Sequence, residues 1–389
     1  MKDTMSKEER LGAVFRLEIP DRVPVVPLFG YFLCRYSGIA SADIWVDAGK
    51  RRRAWDRVYR ELGEFDAVYV VTTANPLVFS WIMPMKTKWP GKELPPDAVV
   101  QTIEEEVMHE DDYAWLVSPG RIPKRLVYPM LLTRMFSRTH PEFPKRLVFL
   151  APVLDAVLLK EVLWLRGWGK QWARRGIPLL WGAVAEAPFD TFSLLRSIGP
   201  FTGDLFRRPE VVAEAAMACV DSIVFQLEAM ARIVGNNRVW LFLHRSSNSF
   251  ISPRQFKSLA FPSLREIVSS LAAKGFDLVL HCDGNWDKNL ETMLELPAKR
   301  CMFQFDGSTD IFRAKEILKG HSCIYGDVPA RLLATGSASE VEEYCRNLIA
   351  VVGKDGGFCL GSGCELAPDA RPENVRAMLH SVKKYGYYG

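Results

Sequence analysis

"RVWLFLHRSSNSFISPRQFKSLAFPSLREIVSSLAAKGFDLVLHC", Arg238 to Cys282, holds two apolar runs with a helical segment between them. The runs, Arg238 to His244 and Phe276 to Cys282, are almost continuously apolar, as strands covered on both faces are. The segment between them opens at Ser252-Pro253 and stops at Gly275, with Pro262 predicted to divide it into two helices. Strand, helix, strand in this order makes the two strands parallel.

The same unit recurs along the chain. Further β-rich runs are Val23 to Phe29, Asp66 to Thr73, Ile177 to Ala185, Lys299 to Asp306, Ser322 to Asp327 and Gly356 to Cys364. With the first two they number eight, the count of a closed (β/α)8 TIM barrel. The expectation is an α/β chain forming one barrel over residues 1–389. Ala74 to Gly176 is then an insertion between the second and third strands, with Val99 to Glu110 as a hairpin. Downstream, Ser337 to Gly353 reads as a helix with a serine cap and Glu342 in its first turn, and Arg371 to Gly386 as the last helix.

Composition narrows the function. The chain has 389 residues, 48% hydrophobic and 25% charged, with a formal net charge of +4. That is ordinary for a globular protein with a large core and offers no basic footprint for nucleic acid. The one dense basic run, Lys50 to Arg57, reads as a solvated helix face. Arg146 to Trp168 is strongly apolar, yet Asp155, Lys160 and Glu161 interrupt it, and each costs roughly 3 kcal/mol in hydrocarbon. It reads as a buried or partner-facing amphipathic helix, with peripheral membrane contact as the alternative and no integral membrane segment. The polar start, Met1 to Gly12, is no secretory signal. The 8 cysteines show no disulfide spacing, so a cytoplasmic location with reduced thiols is expected.

In a parallel barrel all strands end at one face, which carries the active site. Those ends offer Tyr31 and Arg35, Thr73 and Asn75, Glu186 and Asp190, then His244, Arg245 and Asn248. They continue with His281, Asp283 and Asn285, Asp306, Asp327, and Cys364 with Glu365. Side chains alternate along a strand, so His281 and Asp283 share a direction while Cys282 faces away as a buried thiol. An imidazole and a carboxylate so placed can both reach a zinc ion, with Cys364 as a third donor and one position left open. The other reading is a core histidine bonded to Asp283.

Four stretches carry a family resemblance: "FISPRQFKSLAFPSLREIV" (from Phe250), "VLHCDGN" (from Val279), "YGDVPARLLATGSASEV" (from Tyr325) and "GGFCLGSGCELAPDARPENVRAML" (from Gly356). Weaker echoes are "IPDRVPVVPLFG", "ELGEFDAVYV" and "DLFRRPEVV". Together they resemble the uroporphyrinogen decarboxylase superfamily and, within it, its cobalamin-dependent methyltransferases. The arginine-rich N-terminal motif of the decarboxylases is missing; Arg35 is the only nearby arginine.

The resemblance implies a zinc ion on His281, Asp283 and Cys364, with aspartate where the family has cysteine. A carboxylate in place of a thiolate makes a harder zinc, better matched to oxygen than to sulfur. The expected reaction is therefore O-demethylation, in which a methyl ether gives its methyl group to Co(I) on a separate corrinoid protein. The chain lacks a D-x-H-x-x-G cobalamin segment. His244 or Glu365 would act as proton donor or further ligand. Tyr31, Asn75, Asn248, Asp306 and Asp327 would line the pocket for a small-molecule methyl donor, or else serve as caps and loop ties. The alternatives are methyl transfer from methylcobalamin to a thiol, and a metal-free decarboxylase-like protein acting on or binding a tetrapyrrole.

Overall fold

The computed structural model describes residues 2–70, 76–143 and 147–389. A small antiparallel pair, β1 (Lys86–Lys88) and β2 (Gln101–Ile103), precedes the main sheet. That sheet is parallel and runs in chain order through β3 (Ala183–Glu186), β4 (Arg238–Leu243), β5 (Asp277–Cys282), β6 (Cys301–Phe305), β7 (Cys323–Val328) and β8 (Phe358–Ser362). Sequential order and parallel direction bring the six C-terminal ends to one edge.

The first two apolar runs form bridges rather than ladders. Val25 pairs with Leu360 and Val68 with Leu179, both in parallel. Val26 N–H donates to Leu360 O at 2.9 Å, Asp66 N–H to Val25 O at 2.8 Å, and Leu180 N–H to Val68 O at 2.8 Å. The cause is in the sequence: Pro24, Pro27 and Pro178 have no N–H to give a ladder. The second run is described as far as Val70.

Helices cover the sheet. The segment after Ser252 carries a capping box, its hydroxyl accepting from Gln255 N–H. Pro262 does not break it into two. The helix continues through a π-helical turn at Phe256–Ala260 into Phe261–Ala273, because Pro262 cannot donate to the carbonyl four residues back. The helix Ala338–Val351 is capped by Ser337 with Glu340, so Glu340 rather than Glu342 stands in the first turn. Glu342 instead pairs with Lys384 and Tyr385 of the helix Pro372–Tyr385.

Between the second run and β3 lie the helices Pro76–Ile82, Asp111–Val117, Val127–Thr139 and Leu147–Ala173. Residues 99–110 are not a hairpin in themselves: Gln101–Ile103 pairs upstream with Lys86–Lys88. Among the described residues no helix is long and apolar enough to cross a membrane. The basic run is solvated in part only. It lies on the helix Ala48–Leu62, where Arg51 turns inward with its guanidinium 4.4 Å from the centre of the Trp164 ring.

A buried charge cluster ties the N-terminus to the sheet. Asp66 accepts from Arg10 at 2.7 Å, Arg22 at 2.9 Å and Val25 N–H at 2.7 Å. Asp21 and Asp3 satisfy the outer faces of the same two guanidiniums. With every side paired, these charges tolerate burial.

Candidate metal centre

Two histidines and one carboxylate converge at the C-terminal edge of the sheet. Among the described residues, His244, His281 and Asp283 each offer a donor atom, and these atoms lie within 4.8 Å of one another. His281 Nε2 is 3.1 Å from one Asp283 oxygen and His244 Nε2 is 3.5 Å from the other. His281 is the penultimate residue of β5 and is buried, whereas His244 and Asp283 follow β4 and β5 and keep side-chain exposures of 27% and 28%. The centre is thus anchored below and open above.

Both rings are aimed by a partner on the far nitrogen. His244 Nδ1–H donates to Glu186 at 2.7 Å, from the end of β3. His281 Nδ1–H donates to Gln304 Oε1 on β6, which stands directly opposite it in the β5–β6 register. The orientation of the Gln304 amide is fixed in turn, because its NH2 donates to the carbonyls of Phe305, at 3.1 Å, and Gly363. Each Nδ1 is therefore a donor, and each neutral ring turns an Nε2 lone pair toward the same carboxylate. Lone pairs and a carboxylate repel unless a proton or a metal ion lies between them. This is the outer-shell pattern of histidine metal sites.

The titration behaviour has the same cause. Burial opposes charge on His281, but hydrogen bonds to Asp283 and Cys364 outweigh it and hold its pKa well above the usual histidine range. His244 is raised as well, burial being overcome by Glu186. Burial would lift Asp283, yet the His281 hydrogen bond takes it below the ordinary carboxylate range.

Cys364 follows β8 as a hydrogen-bond partner of His281 and is the one cysteine not fully buried; Cys282 faces away, its Sγ 3.4 Å from Leu280 O. Glu365 lies beside it, with its carboxyl lifted to about 7 by burial and by Asp283, against the opposing charge of His281. Gly30 makes room for that carboxyl: at φ +46° a Cβ there would stand 2.5 Å from Glu365 Oε2. Asp190, lifted to about 7 mainly by burial, accepts from Arg245 N–H, Ser246 N–H and the Ser246 hydroxyl, shaping the loop after His244.

The residues expected to line a pocket are held by bonds of their own. Tyr31 Oη accepts from Trp45 Nε1–H at 2.9 Å. Asn248 donates to Asn289 and accepts from Lys288 N–H. Asp306 takes Gly284 N–H and Ser308 N–H, and Asp327 takes the Tyr344 hydroxyl at 2.9 Å. Asn75 and Thr73 lie outside the described residues.

The expected metal set is His281, Asp283 and Cys364, with His244 or Glu365 as proton donor or further ligand. The structure places His244 in the mutual cluster, with Cys364 against His281. Sequence reasoning assigned no role to Glu186 and passed over Gln304. The one available signal for Gln304 was an amide inside an otherwise apolar run.

The donors fit a divalent cation that takes nitrogen, oxygen and sulfur, as zinc does: His244 and His281 through Nε2, Asp283 through its carboxylate, and Cys364 beside them.

Comparison with known proteins bears on the fold. No curated protein matches the sequence. A methyltransferase from Methanosarcina mazei superposes with a TM-score of 0.66 at 16% identity, over 98% of this chain and 99% of that one. The family model for uroporphyrinogen decarboxylase (URO-D) matches residues 175–385, more than half of the chain and all six strands of the parallel sheet. On that match, the chain belongs to the uroporphyrinogen decarboxylase family.

Proposed function

We propose that this protein is a zinc-dependent methyltransferase that takes the methyl group of a small, aromatic methyl ether and passes it to Co(I) on a separate corrinoid protein. The observation that carries the reading is the convergence of two pre-aimed Nε2 atoms on Asp283. The full-length likeness to a protein described as a methyltransferase supports it through the fold. We also infer that the sheet closes into a (β/α)8 barrel over residues 1–389, since the bridges at Val25 and Val68 link β8 round to β3. Residues 74–176 are the insertion, tied to the rim where Glu104 meets Arg245 at 3.1 Å.

Zinc at this centre would supply Lewis acidity toward an ether oxygen. The chain's own groups do the rest. Glu186 and Gln304 hold the two rings in the tautomer that presents Nε2. Asp283 keeps the donor set less electron-rich than one with a second thiolate, which favours oxygen over a thiol substrate. Glu365, with a proton on its carboxyl near neutral pH, returns a proton to the product oxygen. Tyr31, Asn248, Asp306 and Asp327 line the pocket, and the exposed edges of His244 and Asp283 face the approaching corrinoid.

A polycarboxylate tetrapyrrole suits this mouth poorly. Glu186, Asp283 and Glu365 crowd it, while Arg245 is already bound to Glu104 and to Ser193 O.

The test has two parts. Metal analysis of purified protein should give close to one zinc per chain, lost in His281→Ala and in Asp283→Ala. Reduced corrinoid protein mixed with a methoxyphenol should lose its Co(I) absorbance only when this protein is present. Zinc retained by both alanine variants, or methyl transfer only from methylcobalamin to a thiol, would overturn the reading.

A further inference from the structure

We propose that Tyr69 is a catalytic residue of the demethylation, donating its phenolic hydrogen bond to the ether oxygen as it leaves. The inference rests on the reading above. Of the buried tyrosines, Tyr31, Tyr113, Tyr128 and Tyr325 all have their hydroxyls engaged: with Trp45, Asp204, Thr191 and Val26 O respectively. As a residue Tyr69 is just as buried, at 3% exposure, yet among the described residues its hydroxyl makes no hydrogen bond, and its oxygen is not sealed off but keeps some accessible surface. A phenol whose ring is fixed in the core and whose O–H faces open space has its donor free for a ligand.

Its surroundings say which ligand. The Tyr69 ring centre is 4.9 Å from that of Trp240, and Trp240 is 5.3 Å from His281, so the phenol belongs to the wall of the metal centre. Its oxygen is within electrostatic reach of Glu365, Cys364 and Asp283. Burial, reinforced by those negative groups, pushes the phenol pKa well up, so the O–H persists as a donor at neutral pH.

In the step it serves, the methyl–oxygen bond breaks and its electron pair passes to oxygen, while the reduced corrinoid supplies both electrons of the new carbon–cobalt bond. Tyr69 keeps its proton and lends a hydrogen bond to the oxygen as charge grows there. Such a donor works in the transition state, before Glu365 protonates the product.

Tyr69→Phe retains the ring against Trp240 and removes only the donor. The experiment measures zinc content, demethylation of ring-substituted anisoles with reduced corrinoid protein, and binding of 4-nitrophenolate by its absorbance. We expect unchanged zinc, with kcat lower by roughly 100-fold for electron-rich ethers and much less for nitro-substituted ones. Nitrophenolate binding should weaken by about tenfold. A uniform loss across the series marks a structural role and overturns the proposal, as do identical rates and binding in both proteins. If the unaltered enzyme transfers no methyl group yet binds nitrophenolate through Tyr69, the demethylase reading falls and the donor stands.

Discussion

Replacing Glu186 by Gln probes the metal centre without touching a proposed ligand. The two side chains are nearly isosteric, and Glu186 is buried, with 7% side-chain exposure, so solvent will not mask the change. Its carboxylate accepts from His244 Nδ1 at 2.7 Å, a short charge-assisted bond. Such bonds contribute about 1.5–3 kcal/mol against about 0.5–1.5 for neutral ones. The difference of about 1–1.5 kcal/mol is roughly a fivefold to twelvefold loss of zinc affinity. That lies at the low end of what outer-shell substitutions cost metal sites. Competition with a chromophoric chelator at fixed pH would measure it, with a thermal melt of the metal-free proteins to show that the fold is intact. An affinity unchanged within twofold in Glu186→Gln, alongside a large loss in His244→Ala, would refute the claim that Glu186 tunes this ring.

Three further outcomes follow from buried charges elsewhere. Asp66→Ala strands the guanidiniums of Arg10 and Arg22, both nearly inaccessible, and should cost about 3–5 kcal/mol in urea unfolding; a loss below 1 would mean that water replaces the carboxylate. Arg22 holds Asp3 at about 2 against its burial, and Arg10 holds Asp21 lower still. Both folded values lie below the unfolded ones, so their contribution is whole above about pH 4 and fades as pH falls toward 2. Melting temperature against pH should show that fall, and Asp21→Asn should flatten it. Asp327 behaves oppositely: burial lifts it to about 6, against the Tyr344 hydrogen bond. Its protonated form is favoured in the fold, so stability declines as pH rises from about 4 to 6, by at most about 3 kcal/mol, and Asp327→Asn should remove that slope.

Much of this architecture was legible in the chain. The runs ending at His244, Cys282, Asp306, Asp327 and Cys364 are strands because continuous apolar sequence suits a sheet covered on both faces. The prolines at 24, 27 and 178 were equally visible. Their effect was not, because an apolar run looks the same whether or not its backbone can complete a ladder. The pairing of His281 with Asp283 followed from strand alternation. His244 was legible as a proton donor or further ligand at the next strand end, but the grip of Glu186 and Gln304 on the two rings was not, since it depends on the register between strands far apart in sequence. Tyr69 was hidden for a related reason: a tyrosine in an apolar run reads as core, and only its neighbours show that its hydroxyl has been left unspent.

The way the two imidazoles are held has a bearing on how such a protein can change. Glu186 and Gln304 grip them from outside the donor circle, and neither touches Asp283, which hangs from the loop beyond β5. Position 283 can therefore be exchanged while the nitrogens stay in register. On the reading proposed above, a lineage could trade carboxylate for thiolate there, and the proposed oxygen chemistry for sulfur chemistry with it, by altering one codon and leaving the scaffold undisturbed.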